Sequence, residues 1–238
     1  MPVMKESFLR NGHDTTFSPT GLYNFVSGSL LTDDSGNGKN LTVYDEAVDD
    51  SDFIYGKAEG LSHFSYYRNN ASEFQYTGAM SFCCLVSVQK FDTDANSDYV
   101  VLVACDTAGA GQDARYGLQI NPDFVLRYTH QNNGTNYQLL ADRRIRTRNT
   151  WNHIAFTRDS NGTGIKIYFN GDQVAAGTMG AAPGTTGTAY LAFGETQGNP
   201  NSKTNDVALT SCAIYDQELS ANEIKYLARK TLGYHRVQ

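Results

Sequence analysis

The chain has 238 residues, 40% of them hydrophobic, with only five prolines and a net charge of -6. That length suits one large domain or two small ones, a single all-β sandwich of this size being ordinary, and the acidic balance argues against the basic surface that nucleic-acid binding requires. The opening MPVMKESFLRNGHDTTFSP has no apolar stretch of the kind a secretory signal needs, and no later run is long enough to span a bilayer, so neither a signal peptide nor membrane insertion is expected.

Residues 1–18 show no periodicity and read as an N-terminal arm. From Gly21 the pattern turns to strands: GLYNFVSG, the break DDSGNGKN, then LTVYDEAV. MSFCCLVSVQKF (80–91) sets Phe82, Cys84, Val86 and Val88 on one face and Cys83 and Leu85 on the other, as an inner strand does. YVVLVAC (99–105) reads as fully buried. YGLQI and FVLRYTH are joined by the turn Asn121–Pro122–Asp123. WNHIAFTR (151–158) places Ile154 and Phe156 opposite Trp151, which is expected to be a core residue. His153 is expected to be packed, because no serine, cysteine or carboxylate stands in triad spacing with it. Asn170–Gly171 should form a tight hairpin, and AYLAFGE and DVALTSCAIYD add two strands. In SANEIKYLARK, Ser220 and Glu223 form a capping box that opens a helix with Ile224, Leu227 and Ala228 inward. Residues 229–238 read as a tail. The fold class is therefore all-β, a sandwich of two antiparallel sheets with a short C-terminal helix.

Four ordered segments resemble the laminin-G-like jelly-roll domains of the concanavalin A-like lectin/glucanase superfamily. They are GLYNFVSGSLLTDDSGNGKNLTV, GKAEGLSHF with FQYTGAMSFCCLVSV, WNHIAFTRDSNGTGIKIYFNGDQV, and CAIYDQELSANEI. The resemblance implies a jelly-roll β-sandwich over residues 19–228. It also implies glycan binding, glycosidase chemistry or a Ca²⁺ site as activities such a fold can carry. Retaining glucanases of this architecture place two glutamates on one strand, close enough to act as nucleophile and acid. Here no two glutamates lie within four residues, so no enzyme is expected, the alternative being a glycoside hydrolase or lyase with carboxylates drawn from different strands.

Tyrosine and asparagine in loops suit a sugar. Candidates are Tyr66, Tyr67, Asn69 and Asn70 in SYYRNN, and Asn132, Asn133, Asn136 and Tyr137 in HQNNGTNY, with Tyr66, Tyr67, Asn69, Asn133 and Tyr137 taken as the ligand set. Arg144, Arg146 and Arg148, alternating along DRRIRTRN, form a candidate face for an acidic partner. Asp34 and Asn37 in DDSGNGKN are candidate Ca²⁺ ligands, the competing reading being a simple Asx turn. Where the family carries two acids before its last strand, this chain has Thr210 and Ser211, which weakens a calcium site carried over by analogy. Cys83, Cys84, Cys105 and Cys212 show no zinc spacing and read as buried thiols. The functional expectation is a non-enzymatic structural or binding module. Its narrow form is a virion surface protein, a phage capsid decoration or fibre. Such a protein is made in the host cytoplasm, assembles with coat subunits in many copies, and docks a host-surface glycan.

Overall fold

The computed structural model describes residues 17–25, 32–43, 54–55, 66–68, 72–88, 100–107, 114–121, 123–145, 150–194 and 207–235. The arm expected over residues 1–18 falls almost entirely outside them.

Two antiparallel sheets of seven strands each face one another. The first runs in the order β1 (Gly21–Tyr23), β14 (Val207–Tyr215), β5 (Met80–Val88), β10 (Trp151–Arg158), β11 (Gly164–Phe169) and β12 (Asp172–Thr178). The short β3 (Ile54–Tyr55) also pairs with β14. The second runs β2 (Thr42–Val43), β4 (Tyr66–Arg68), β13 (Ala189–Gly194), β6 (Val100–Thr107), β7 (Tyr116–Ile120), β8 (Val125–Asn132) and β9 (Thr135–Arg144). This is a jelly-roll β-sandwich, and the expected alternation in β5 is what builds its core. Phe82, Cys84, Val86 and Val88 face inward with Ile154 and Phe156 of β10, against Tyr116, Leu118 and Tyr128 of the second sheet. The Phe156 ring lies 4.9 Å from Tyr128 and 6.0 Å from Tyr116, within the range where tilted aromatic pairs attract.

The outer face of the first sheet is covered by the helix α1 (Ala221–His235). Cys83, Ala155, Tyr168, Ala213 and Tyr215 pack there against Leu219, Ile224 and Leu227. The capping box forms as read: Glu223 N donates to Ser220 Oγ at 3.3 Å, and Ser220 N donates to Glu223 Oε2 at 2.7 Å. The helix then continues to His235, so residues 229–235, expected as a tail, are helical. Asn170 and Gly171 close the β11–β12 hairpin with φ of 53° and 85°. A Cβ on Gly171 would stand 3.1 Å from the Ala228 Cβ, so the glycine also lets the helix approach the turn.

Two expectations are corrected. HQNNGTNY is not a loop: Asn133 and Gly134, at φ 49° and 74°, make a second tight turn, and β9 begins at once with Thr135. Trp151 is half-buried, because it opens β10 opposite Ser87 at the end of the strand. The core contribution of that strand comes from Ile154 and Phe156, while His153 is fully buried on the helix side.

At the other end of β10, Arg158 is fully buried. Its guanidinium donates to the carbonyl oxygens of Tyr76, Gly78 and Arg115 and to the Tyr128 hydroxyl, tying both sheets to the segment before β5.

Candidate functional site

The outer face of the second sheet is polar because of the same period-two alternation that fills the core. Leu118 and Ile120 of β7 turn inward and leave Gln119 outside. Leu126, Tyr128 and His130 of β8 are buried, which leaves Arg127, Thr129 and Gln131 on the far face. The register brings Thr129 opposite Gln138 and Gln131 opposite Asn136 on β9. With Asp106 at the end of β6, these residues line a shallow pocket of about 480 Å³. Its floor is kept low at Gly117, where a Cβ would come within 3.0 Å of Thr129 Oγ1.

The polar groups are held in place by one another. Arg127 donates through Nε and Nη2 to Gln119 Oε1 at 3.2 and 2.5 Å. Gln131 Nε2 donates to Asn136 Oδ1 at 2.6 Å. Three side-chain amides and one guanidinium are thus fixed in direction, with the exposed Gln138 beside them, and oriented donors and acceptors of this kind are how a site reads the hydroxyls of a sugar. Among the lining residues Asp106 is the one carboxylate, whereas two-carboxylate glycoside hydrolysis needs a second about 5–10 Å away.

His130 closes the pocket from below. Its Nε2–H donates to the Ala181 carbonyl at 2.9 Å, its ring stacks on Tyr137 at 5.2 Å, and among the described residues none pairs with Nδ1. Burial, with the Arg158 charge adding to it, lowers its pKa to about 4, so the ring is neutral at pH 7. Asn132 Nδ2 donates to Ala182 O at 2.7 Å and Gly184 N to Gln131 O at 2.8 Å, so the segment between β12 and β13 is strapped to the end of β8.

The family model described as the concanavalin A-like lectin/glucanases superfamily, a laminin-G type, matches residues 62–225. The chain belongs to that superfamily. No curated protein sequence matches it. Solved structures share the fold at low identity. The binding domain of Paraclostridial Mosquitocidal Protein 1 has a TM-score of 0.67 at 19% identity, over 91% of this chain and 53% of that one. The botulinum neurotoxin serotype D binding domain has a TM-score of 0.65 at 15% identity, over 89% and 51%. A structure of botulinum neurotoxin type C, a toxin dependent on interaction with two ganglioside molecules to enter cells, has a TM-score of 0.64 at 12% identity, over 90% and 51%. The chain spans about half the length of these matched structures.

Against this concanavalin A-like frame, Asn136 lines the pocket, while the other residues singled out in the sequence scatter. Tyr137 borders the pocket, but its ring is sandwiched between His130 and Gly180 rather than offered as a platform. Asn133 sits exposed in the β8–β9 turn. Tyr67 occupies a register row that runs through Ala192, Ala104, Gly117, Thr129 and Gln138, so it stands at the far end of the line crossing the pocket. Tyr66 is in register with the core residue Phe193. Asn69, Asn70, Arg146 and Arg148 lie outside the described residues, and Arg144 is exposed at the end of β9.

The calcium candidates sit in a turn organised by their neighbour. Asp33 Oδ1 accepts from Leu22 N and Ser35 N, and Oδ2 from Lys39 N, all at 3.0 Å. Asp34 Oδ2 accepts from Asn24 Nδ2 at 2.9 Å. Asn37 Nδ2 donates to the Pro19 and Thr20 carbonyls and to Ser35 Oγ. These groups hold the turn, and among the described residues no three His, Cys, Asp or Glu side chains gather as a metal cluster. Both carboxylates of the turn, Asp33 and Asp34, accept hydrogen bonds from within it, as an Asx-type turn uses them. Missing from the sequence reading were Asp106, Gln119, Arg127, Gln131 and Gln138. Their signal was present as the polar phase of LQI and LRYTHQ, but such a phase is also what any solvated sheet face shows.

Proposed function

We propose that this chain is a non-enzymatic binding module that takes a glycan on the outer face of its second sheet. The observation that carries this reading is the braced face of Gln119, Arg127, Gln131 and Asn136, with Gln138 beside it, offering oriented hydrogen bonds with one carboxylate, Asp106, among the described lining residues. The fold shared with toxin binding domains supports a recognition role over a catalytic one. A glycan array probed with the whole chain, followed by titration calorimetry on the strongest hit, tests it. Arg127→Ala should weaken that hit about tenfold or more, the worth of a charged hydrogen bond, with an unchanged circular dichroism spectrum. Binding unaffected by Arg127→Ala and Gln119→Ala, or glycan turnover lost on changing Asp106, would overturn the proposal.

The narrower reading is a virion surface protein that assembles in many copies. It draws support from four free, buried cysteines, which suit a chain folded in a reducing cytoplasm. Antibody against the chain labelling the outside of purified particles tests it; antigen absent from particles refutes it.

A further inference from the structure

Two cysteines meet across the seam between β5 and β14. Thr210 pairs with Leu85 and Ala213 with Cys83, so the single residue Cys84 faces two residues of β14, Ser211 and Cys212. Ser211 takes a left-handed φ of 50°, as the first residue of a bulge does. Cys84 and Cys212 both belong to the central core cluster, and the Cys212 thiol donates to the Thr210 carbonyl of its own strand at 3.9 Å. Regularly opposed residues of antiparallel strands have Cα atoms roughly 4.5–5.5 Å apart; the regular pairs Leu85–Thr210 and Cys83–Ala213 on either side of the bulge hold Cys84 and Cys212 across the same seam, where a disulfide bridges roughly 4.4–6.8 Å. The other two cysteines are placed differently. Cys83 lies on the opposite face beneath the helix, and Cys105 is on β6 of the second sheet.

We infer that Cys84 and Cys212 form a latent cross-strand disulfide, a modification site that locks β5 to β14 when the chain folds in an oxidising compartment. The oxidant is a small disulfide of the glutathione class. One cysteine thiolate attacks it, forming a mixed disulfide and releasing one glutathione thiolate. The second cysteine then attacks the mixed disulfide at the protein sulfur, the Sγ–Sγ bond forms, and the second glutathione leaves. Two electrons pass to the oxidant, and the two thiol protons end on the two glutathione molecules. Both sulfurs are fully buried in the finished sheet, and burial pushes the Cys212 thiol well up. Exchange therefore takes place while the sheet is still open, and the native packing afterwards selects this pair. In a reducing cytoplasm the same side chains remain thiols and the fold stands on its packing.

Refolding from denaturant in a glutathione redox buffer, then alkylation and intact-mass measurement, tests the assignment. Cys83 and Cys84 fall in one tryptic peptide, so the decisive protein is the full chain carrying Cys83→Ala and Cys105→Ala. After oxidative refolding this variant should lose the mass of two hydrogens, take up no alkylating reagent, and yield a peptide joining the Cys84 and Cys212 segments. Its denaturation midpoint should exceed that of the same protein refolded with reduced glutathione. In the otherwise unaltered chain, two thiols should remain alkylatable, and Cys84→Ser should abolish the cross-link. The inference is overturned if the double variant refolds to a native spectrum with both thiols alkylated. It is equally overturned if the unaltered chain cross-links through Cys83 or Cys105. Failure of the double variant to refold in oxidant when it refolds in reductant also counts against it, since the bridge would then be incompatible with the sheet.

Discussion

Arg158 offers the sharpest test of how this sandwich is held together. It is fully buried at the end of β10, and its guanidinium reaches four acceptors from three segments. Arg158→Met keeps much of the stem volume and removes every donor. Three backbone carbonyls then lose their donor, that of Arg115 in the buried interior and those of Tyr76 and Gly78 in partly buried positions, at about 1–3 kcal/mol each, while the desolvation of one charge is recovered. The balance is a loss of about 3–5 kcal/mol. At the entropy of unfolding of a domain this size, that lowers the thermal midpoint by about 10 °C. Arg158→Lys should fall about halfway, because an ammonium has three donors and cannot span the four acceptors. Urea denaturation followed by intrinsic fluorescence measures both, and the slope of the transition should not change. A loss below about 1 kcal/mol for Arg158→Met would show that water replaces the guanidinium and that the end of the sandwich is not sealed.

Two further outcomes follow from the same structure. The folded pKa of His130, about 4, lies below the ordinary value of 6.5, so the unfolded chain takes up the proton first. Its contribution to stability is therefore complete above pH 6.5 and is lost as pH falls toward 4, by at most about 3 kcal/mol; stability measured against pH should lose that slope in His130→Gln. Ser220→Ala removes the helix cap and should cost about 1 kcal/mol in urea denaturation, while Glu223→Gln, which keeps an acceptor for Ser220 N, should cost less.

Much of this fold could be read from short-range chemistry. The Asn–Gly pair at 170–171, the capping box at 220–223 and the alternation in β5 each rest on a few neighbouring residues, and each forms as read. β9 was harder to see, because TNYQ carries no apolar periodicity and the strand is specified by β8 across the Asn133–Gly134 turn. Trp151 misled for a related reason: ring size suggests a core position, but only strand pairing shows that it stands at an end. The pocket was the least legible part. Gln119, Arg127 and Gln138 come from three strands, and nothing in the order of residues says that their polar phases align on one face.

The pairing of the first strand with the last sets the order in which this chain can assemble. Gly21 meets Ile214, and β14 bridges β1 and β5, so the middle of the first sheet waits for a strand almost two hundred residues further along the chain. The β8–β9 and β11–β12 hairpins need only a two-residue turn, and such units close in about 1–10 μs. The edge of β5 that pairs with β14 and the outer face that the helix covers remain open until residues 207–235 arrive. Synthesis on a ribosome therefore leaves a long interval in which an unfinished sheet is exposed, and a circular permutant that joins β14 to β1 through a short linker should collapse faster than the natural order allows.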